Sequence, residues 1–229
     1  MKKIFFIAFT VLLIFSCEKE NENTMFVKGN IKGLKKGTLY LQKQIDSLVI
    51  SIDSVKVNGS QEFLLTDEVL SPEMYYLTLG KSNKKIPFFG EKDTISITSR
   101  LDKFILKARV SGSKNQALLD EYYAIKDKFN NQNLDLIKKD FEAKKSGNQD
   151  SIQLVEKKIK SLVRRKYLYT TNFAINNSDY EVAPYIALTE LNNATTKLLD
   201  TINNSLSANV KDSKYGKQLD EFILKIKEN

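Results

Sequence analysis

From Met25 to about Val110 apolar and polar residues alternate with period two, and from Ser113 onward the period lengthens to about 3.6. In the first stretch Tyr75, Leu77 and Leu79 alternate with Tyr76 and Thr78, and Ile95 and Ile97 with Thr94, Ser96 and Thr98. A strand with that pattern sets one face against a core and the other in water. Such runs predict strands over 25–31, 37–45, 48–57, 61–65, 74–79, 84–89, 93–98 and 104–110. Asn58-Gly59 lies between two of them, and both residues tolerate positive φ, so the pair predicts a hairpin. Gly37, Gly80 and Gly90 mark further turns. Many short strands at this spacing predict an antiparallel β-sandwich or open barrel over 25–112.

In the second stretch Leu118, Tyr122, Ile125 and Phe129 share one helical face, with Leu119 and Tyr123 beside them. Ile152, Val155, Ile159, Leu162 and Val163 do the same in a longer helix running to about Ile175. Ser113 and Asp150 fit N-caps, and Gly147 separates the second and third helical segments. Ser178-Asp179 opens a shorter helix through Leu191, with Pro184 bending its start, and 195–206 and 213–227 are further helices. The fold class expected is α+β: a β-rich domain at 25–112, then a helical bundle at 113–229.

The amino terminus follows neither period. Lys2 and Lys3 precede Ile4–Phe15, a run whose one polar member is Thr10. A membrane span needs roughly 20 apolar residues, so this shorter run fits the core of a secretory leader instead. It ends Leu13-Ile14-Phe15-Ser16-Cys17, which resembles a lipobox: aliphatic residues, a small residue before the cut, then the cysteine. The expectation is a signal peptide over 1–16, a diacylglyceryl group on the Cys17 sulfur, and a flexible tether over 17–24. The protein would then sit in the cell envelope, lipid-anchored at the outer membrane, on its periplasmic face or at the cell surface. Two or more acyl chains anchor stably where one is marginal.

Composition narrows the chemistry. The 229 residues include one cysteine and no histidine. Ser-His and Cys-His pairs, imidazole metal ligands, an internal disulfide and a CxxC couple are therefore all absent from the sequence. The formal net charge of +8 is spread widely, and Lys2 and Lys3 leave with the leader. Such a charge suits an anionic surface without being a nucleic-acid signature. No nucleic acid, metal or cofactor is expected.

Four groups of residues are candidates for more specific roles. Lys157, Lys158, Lys160, Arg164, Arg165 and Lys166 form the densest basic run; they could meet an anionic lipid or polysaccharide, or simply be a solvated face opposite Ile159, Leu162 and Val163. Tyr75, Tyr76, Tyr122, Tyr123, Tyr167 and Tyr169 could line a ligand groove or pack in the core. Asp120 and Glu121 are neighbours that point about 100° apart on a helix, so they do not converge as an acid/base pair. Asp46-Ser47-Leu48, Asp53-Ser54-Val55, Asp93-Thr94-Ile95, Asp150-Ser151-Ile152 and Asp200-Thr201-Ile202 fit an O-glycosylation pattern, or equally turn and cap chemistry.

Phe26-Val27-Lys28-Gly29-Asn30-Ile31, Gly37-Thr38-Leu39-Tyr40-Leu41 and Ile52-Asp53-Ser54-Val55-Lys56-Val57, in that order, resemble the N-terminal domain of Bacteroidota thiol-disulfide reductase lipoproteins, the domain-of-unknown-function family 4369. Phe88-Phe89-Gly90-Glu91-Lys92-Asp93-Thr94-Ile95-Ser96-Ile97 resembles its next landmark, and Val110-Ser111-Gly112-Ser113 with Leu118-Leu119-Asp120-Glu121-Tyr122 its passage into helices. Phe173-Ala174-Ile175-Asn176-Asn177 and Tyr215-Gly216-Lys217-Gln218-Leu219 resemble the helical segment that follows. In the longer relatives a thioredoxin-like domain with CxxC comes next; this chain stops at Asn229 and holds no redox residue to carry over. The resemblance therefore implies a non-catalytic envelope lipoprotein that binds or scaffolds a partner. The alternative is an accessory subunit for a separately encoded thioredoxin-like reductase.

Overall fold

A computed structural model describes residues 23–80 and 82–228. The leader, Cys17 and all but the last two residues of the 17–24 tether lie outside the described residues. The strands are β1 (Thr24–Lys32), β2 (Lys36–Ile45), β3 (Leu48–Asn58), β4 (Glu62–Glu68), β5 (Glu73–Leu79), β6 (Lys85–Gly90), β7 (Asp93–Arg100) and β8 (Arg109–Ser111). The helices follow: α1 (Lys114–Ser146), α2 (Gln149–Asn176), α3 (Val182–Glu190), α4 (Thr196–Ser205), α5 (Ala208–Asp212) and α6 (Lys214–Lys227). The fold is α+β, strands first and helices after.

Two four-stranded sheets, ordered β4-β1-β7-β8 and β3-β2-β5-β6, make the β part. Every pairing is antiparallel except that of β1 with β7, which is parallel. Met25, Val27, Leu39, Leu41, Tyr75 and Ile97 belong to one core cluster drawn from both sheets, and in β1 and β7 the buried residues alternate with more exposed ones. At the parallel pair the backbones crowd. A Cβ on Gly29 would lie 1.7 Å from the Ile97 carbonyl oxygen, so only glycine fits there.

Tertiary packing overrides three strand expectations. Asn58-Gly59 forms no hairpin. Gly59 does adopt φ 92°, but β3 and β4 belong to different sheets, and the turn is a corner between them. Val57 and Phe63 enter the same core from the two sides of that corner, and across it Asp53 accepts the Thr66 N–H at 2.9 Å. Of the expected strand over 104–110 only Arg109 and Val110 are strand, as the start of β8, and 104–107 form turns. Phe104 is 2% exposed and Leu106 83%, so the apparent alternation is broken. The Ser99 hydroxyl donates to the Phe104 carbonyl at 2.6 Å, and the Lys107 N–H to Lys103 at 2.9 Å, closing local turns before β8. Finally, the outer face of β5 is not in water: Met74 of β5 and Phe89 of β6 are buried against helices.

The helical boundaries are mostly local chemistry. The Ser113 hydroxyl accepts the Gln116 N–H at 2.9 Å and starts α1. α1 runs unbroken to Gly147, whose φ of 70° ends it, so 113–146 is one helix and not two segments. α2 is capped by Asn148, whose side chain accepts the Ser151 N–H at 2.9 Å. Asp150 is in the first turn instead, where its charge suits the helix dipole. α3 starts at Val182 rather than at Ser178, and Pro184 falls in the first turn, where no intrahelical N–H bond is lost. The short α5 lies between the predicted last two helices. Leu199, Ile202, Leu219 and Ile223 close α4 and α6 over Ala183 and Ala187 of α3. Among the described residues no helix is long and apolar enough to cross a membrane.

Candidate functional site

The start of α1 is plugged into the β part. Asn115 is buried, and its amide is fully used: Nδ2 donates to Glu91 at 2.9 Å and to Glu181 at 3.0 Å, while Oδ1 accepts the Val182 N–H at 2.8 Å. Gln116 accepts the Phe89 N–H at 2.8 Å and donates to Asp120 at 2.7 Å. From the other end of the chain the Tyr215 hydroxyl accepts the Met74 N–H at 3.0 Å. Beside it Lys214 pairs with Glu73 and donates to the Gln44 carbonyl at 2.9 Å. Burial holds the Tyr215 hydroxyl above its ordinary pKa, so it stays neutral. Burial also raises the Glu181 carboxyl, to which nearby Glu91 adds a smaller push. A cleft of about 270 Å³ opens beside Lys214 and Tyr215, with Tyr76, Tyr185 and Gln218 in its wall. Its polar groups are largely committed to holding β5 and the helices together.

A different surface forms where α1 and α2 leave that junction. At about 1.5 Å per residue, 33 residues of α1 make a rod of roughly 50 Å. Past Phe129 the only fully buried side chain of α1 is Ala143. Phe129, Asn133, Leu136, Asp140 and Ala143 recur at spacings of three and four and form the seam that faces Val155, Leu162 and their neighbours on α2. The pair is thus an antiparallel helical arm. One side of it is polar, where Gln132, Asp135, Lys139 and Lys158 line a groove and Arg165 donates to Gln132 at 3.4 Å. Leu134, Ile137 and Phe141 lie on the opposite side, about 100° round from the seam. They are 64%, 53% and 69% exposed. Val163 of α2 is on that same side and is also exposed.

This apolar side runs into a groove of about 520 Å³ between α2 and the segment that begins α4. Ile159, Val163, Tyr167, Ala194 and Leu198 form its apolar surface, Lys160 and Arg164 stand on its α2 side, and no carboxylate lines it.

The structure therefore divides the basic run. Lys166 pairs with Glu190 at 3.0 Å, and Lys126 pairs with the same carboxylate at 2.5 Å, tying α1, α2 and α3. Arg165 turns to the polar side of the arm. Lys160 and Arg164 remain beside apolar residues rather than opposite all of them. Lys157, Lys158, Lys160 and Arg164 form no ion pair among the described residues. The tyrosines divide as well. Tyr75 and Tyr122 are core, Tyr169 stacks on Tyr122 at 6.0 Å, and Tyr123 is half-buried beside it. Tyr76 lines the junction cleft, and Tyr167 lines the α2–α4 groove. Asp120 faces a third cavity, of about 710 Å³, at the β6–β8 edge; partial burial raises its pKa and Gln116 opposes the rise. Glu121 does not join it there.

The Asp-Ser/Thr tripeptides divide: Asp46 is in a turn, Asp93 begins β7 and Asp150-Ser151 is in the first turn of α2, whereas Asp53-Ser54-Val55 lies within β3 and Asp200-Thr201-Ile202 within α4. Asp53 and Asp93 each accept the next residue's N–H at 2.7 Å, and Asp46 takes φ 52°. Ser151 donates its N–H to the Asn148 cap, while the Thr201 hydroxyl donates back to the Lys197 carbonyl at 2.7 Å. Among the described residues no three acidic, cysteine or histidine side chains converge on a metal position. The groove was missed in the sequence because its two walls lie thirty or so residues apart. The signal that could have found it was Val163, an apolar residue next to the seam position Leu162 and flanked by Lys160 and Arg164.

Residues 25–119 match the family described as domain of unknown function DUF4369. The match takes in the whole two-sheet part and continues to Leu119, so it includes the Asn115–Gln116 plug. No curated protein matches the chain. A solved structure titled "pT26-6p" is 12% identical over 84% of this chain, with a TM-score of 0.25. The chain spans 42% of the length of that protein.

Proposed function

We propose that this protein is a non-catalytic lipoprotein of the cell envelope that binds or scaffolds a protein partner, held to the membrane through a lipid on Cys17. The observation that carries this reading is the α1–α2 arm, which extends past the junction with Leu134, Ile137, Phe141 and Val163 open to solvent. Four of the arm's exposed apolar side chains lie on one side, with Leu154 alone on the polar side, and large apolar side chains grouped on a projecting element are typical of interaction surfaces, whereas scattered ones need no explanation. The non-catalytic part of the reading is supported by the sequence, which has no histidine, and by the way the buried polar groups are spent. The Asn115, Gln116 and Tyr215 side chains bond strand and helix backbone, and Glu190 is held between two lysines. In the broader resemblance to reductase lipoproteins, a separately encoded thioredoxin-like protein is one partner such an arm could serve.

Chemical crosslinking of the intact lipoprotein in its own envelope, followed by pulldown and mass spectrometry, tests this reading. The parent chain should enrich a defined protein set. A Leu134→Glu/Phe141→Glu variant, which changes exposed residues only, should lose that set while keeping its thermal transition. A Cys17→Ala variant should leave the membrane fraction. If the arm variant enriches the same proteins as the parent, the arm is not the binding surface.

A further inference from the structure

We infer that the groove between α2 and the start of α4 receives an acidic amphipathic helix of a partner protein. The inference rests on the binding reading above and names the chemistry of the partner. Three observations carry it. The groove runs along α2 from Ile159 to Leu168, and its surface is apolar at Ile159, Val163 and Tyr167, positions four residues apart on one helix. That spacing accepts the i, i+3, i+4, i+7 anchors of a second helix laid alongside. Leu198 supplies the facing wall. Lys160 and Arg164 stand on the same side with no ion-pair partner among the described residues, and no carboxylate lines the groove. An occupant must therefore bring its own negative charge beside its apolar stripe, because two cations flanking a newly dried surface lose hydration unless paired.

The same features argue against another copy of this chain. A second copy joined through this groove by two-fold symmetry would bring a second Lys160 and Arg164 to the same interface and no carboxylate of the groove's own, and like charges across an interface are unfavourable.

The test is fluorescence anisotropy with the purified full chain and fluorescein-labelled synthetic amphipathic peptides of about 18 residues, long enough for several helical turns. One peptide carries glutamates beside its apolar stripe; its counterpart carries lysines at the same positions. The acidic peptide should bind, more weakly as salt rises, and at least about tenfold more tightly than the basic one. Lys160→Glu/Arg164→Glu should remove that preference, and Val163→Asp should abolish binding of both peptides, with circular dichroism spectra and melting temperatures unchanged. Equal binding of the two peptides, or no effect of the charge reversal, overturns the inference. Binding to anionic phosphatidylglycerol vesicles that is lost in Val163→Asp, with no acidic-peptide binding, overturns it in favour of a lipid surface. Dimerisation in sedimentation equilibrium that Val163→Asp abolishes overturns it in favour of a second copy. If the peptides fail but crosslinking still depends on the arm, only this inference falls; if crosslinking is also independent of the arm, the binding reading falls with it.

Discussion

Asn115 shows what one side chain decides at the junction. Its amide separates two carboxylates, Glu91 and Glu181, and also satisfies the Val182 N–H, so strand end, α1 and α3 meet on one residue. Glu181 is left with a folded pKa above its ordinary value of 4.5, first because burial disfavours its charge. A carboxyl shifted that way contributes stability that is fully present below its unfolded pKa and is lost as the pH climbs through the folded one. Glu181→Gln keeps an acceptor for Asn115 but removes the titration. Its stability relative to the parent should therefore rise as the pH climbs above the ordinary carboxyl value of 4.5, read as urea midpoints across pH. Parallel curves for the two proteins would show that the carboxylate is not penalised. Ser113 was legible as a cap because its partner, Gln116, is three residues away. Asn115 was not, since its partners lie 24, 66 and 67 residues distant and nothing local distinguishes it from any helical asparagine.

At the scale of elements, strand and helix positions follow the local period closely, and the departures occur where packing supplies a stronger reason. β1 lies parallel to β7, with Gly29 opposite Ile97. Gly29→Ala must push those backbones apart and should cost about 2–4 kcal/mol, lowering the melting temperature by several degrees. Gly59 adopts φ 92° in open space, where a Cβ meets nothing within 4 Å, so Gly59→Ala should cost only about 1 kcal/mol from its backbone conformation. Equal melting temperatures for the two variants would mean that the sheet relaxes around residue 29. The arm repeats the lesson in helices. The 3.6-period stripe read from the sequence on α1 runs from Leu118 to Phe129 and does not reach Leu134, Ile137 or Phe141. In the structure Leu134, Ile137 and Phe141 lie outside the contact with α2 and are exposed. The basic run likewise read as one face, yet α3 takes Lys166 through Glu190 and α1 takes Arg165 through Gln132.

Over the whole molecule the two segments are joined through Met74 and Phe89, which turn away from the sheet core and pack with Leu118, Tyr122, Phe173, Val182 and Tyr215. Phe89 sits edge-on to Tyr185 and Tyr215, with ring centroids 5.4 and 6.0 Å apart. Phe89→Ala should therefore cost about 3–5 kcal/mol, and the far-ultraviolet helical signal and the near-ultraviolet tyrosine signal should fall together at a lower temperature. A helical signal that melts as in the parent while the tyrosine signal shifts would mean that the two segments unfold independently. The sequence by itself determined most of the strands and the longer helices, the change from strands to helices at Gly112-Ser113, and a composition with no histidine and one cysteine. These depend on local periodicity, caps and composition. The tertiary structure alone decided that Asn58-Gly59 turns a corner between sheets, that β5 is buried on both faces, and that the α2–α4 groove is open beside unpaired Lys160 and Arg164. Each of those depends on which distant surface covers a residue, and a periodic pattern records that a face is apolar without recording what, if anything, lies against it.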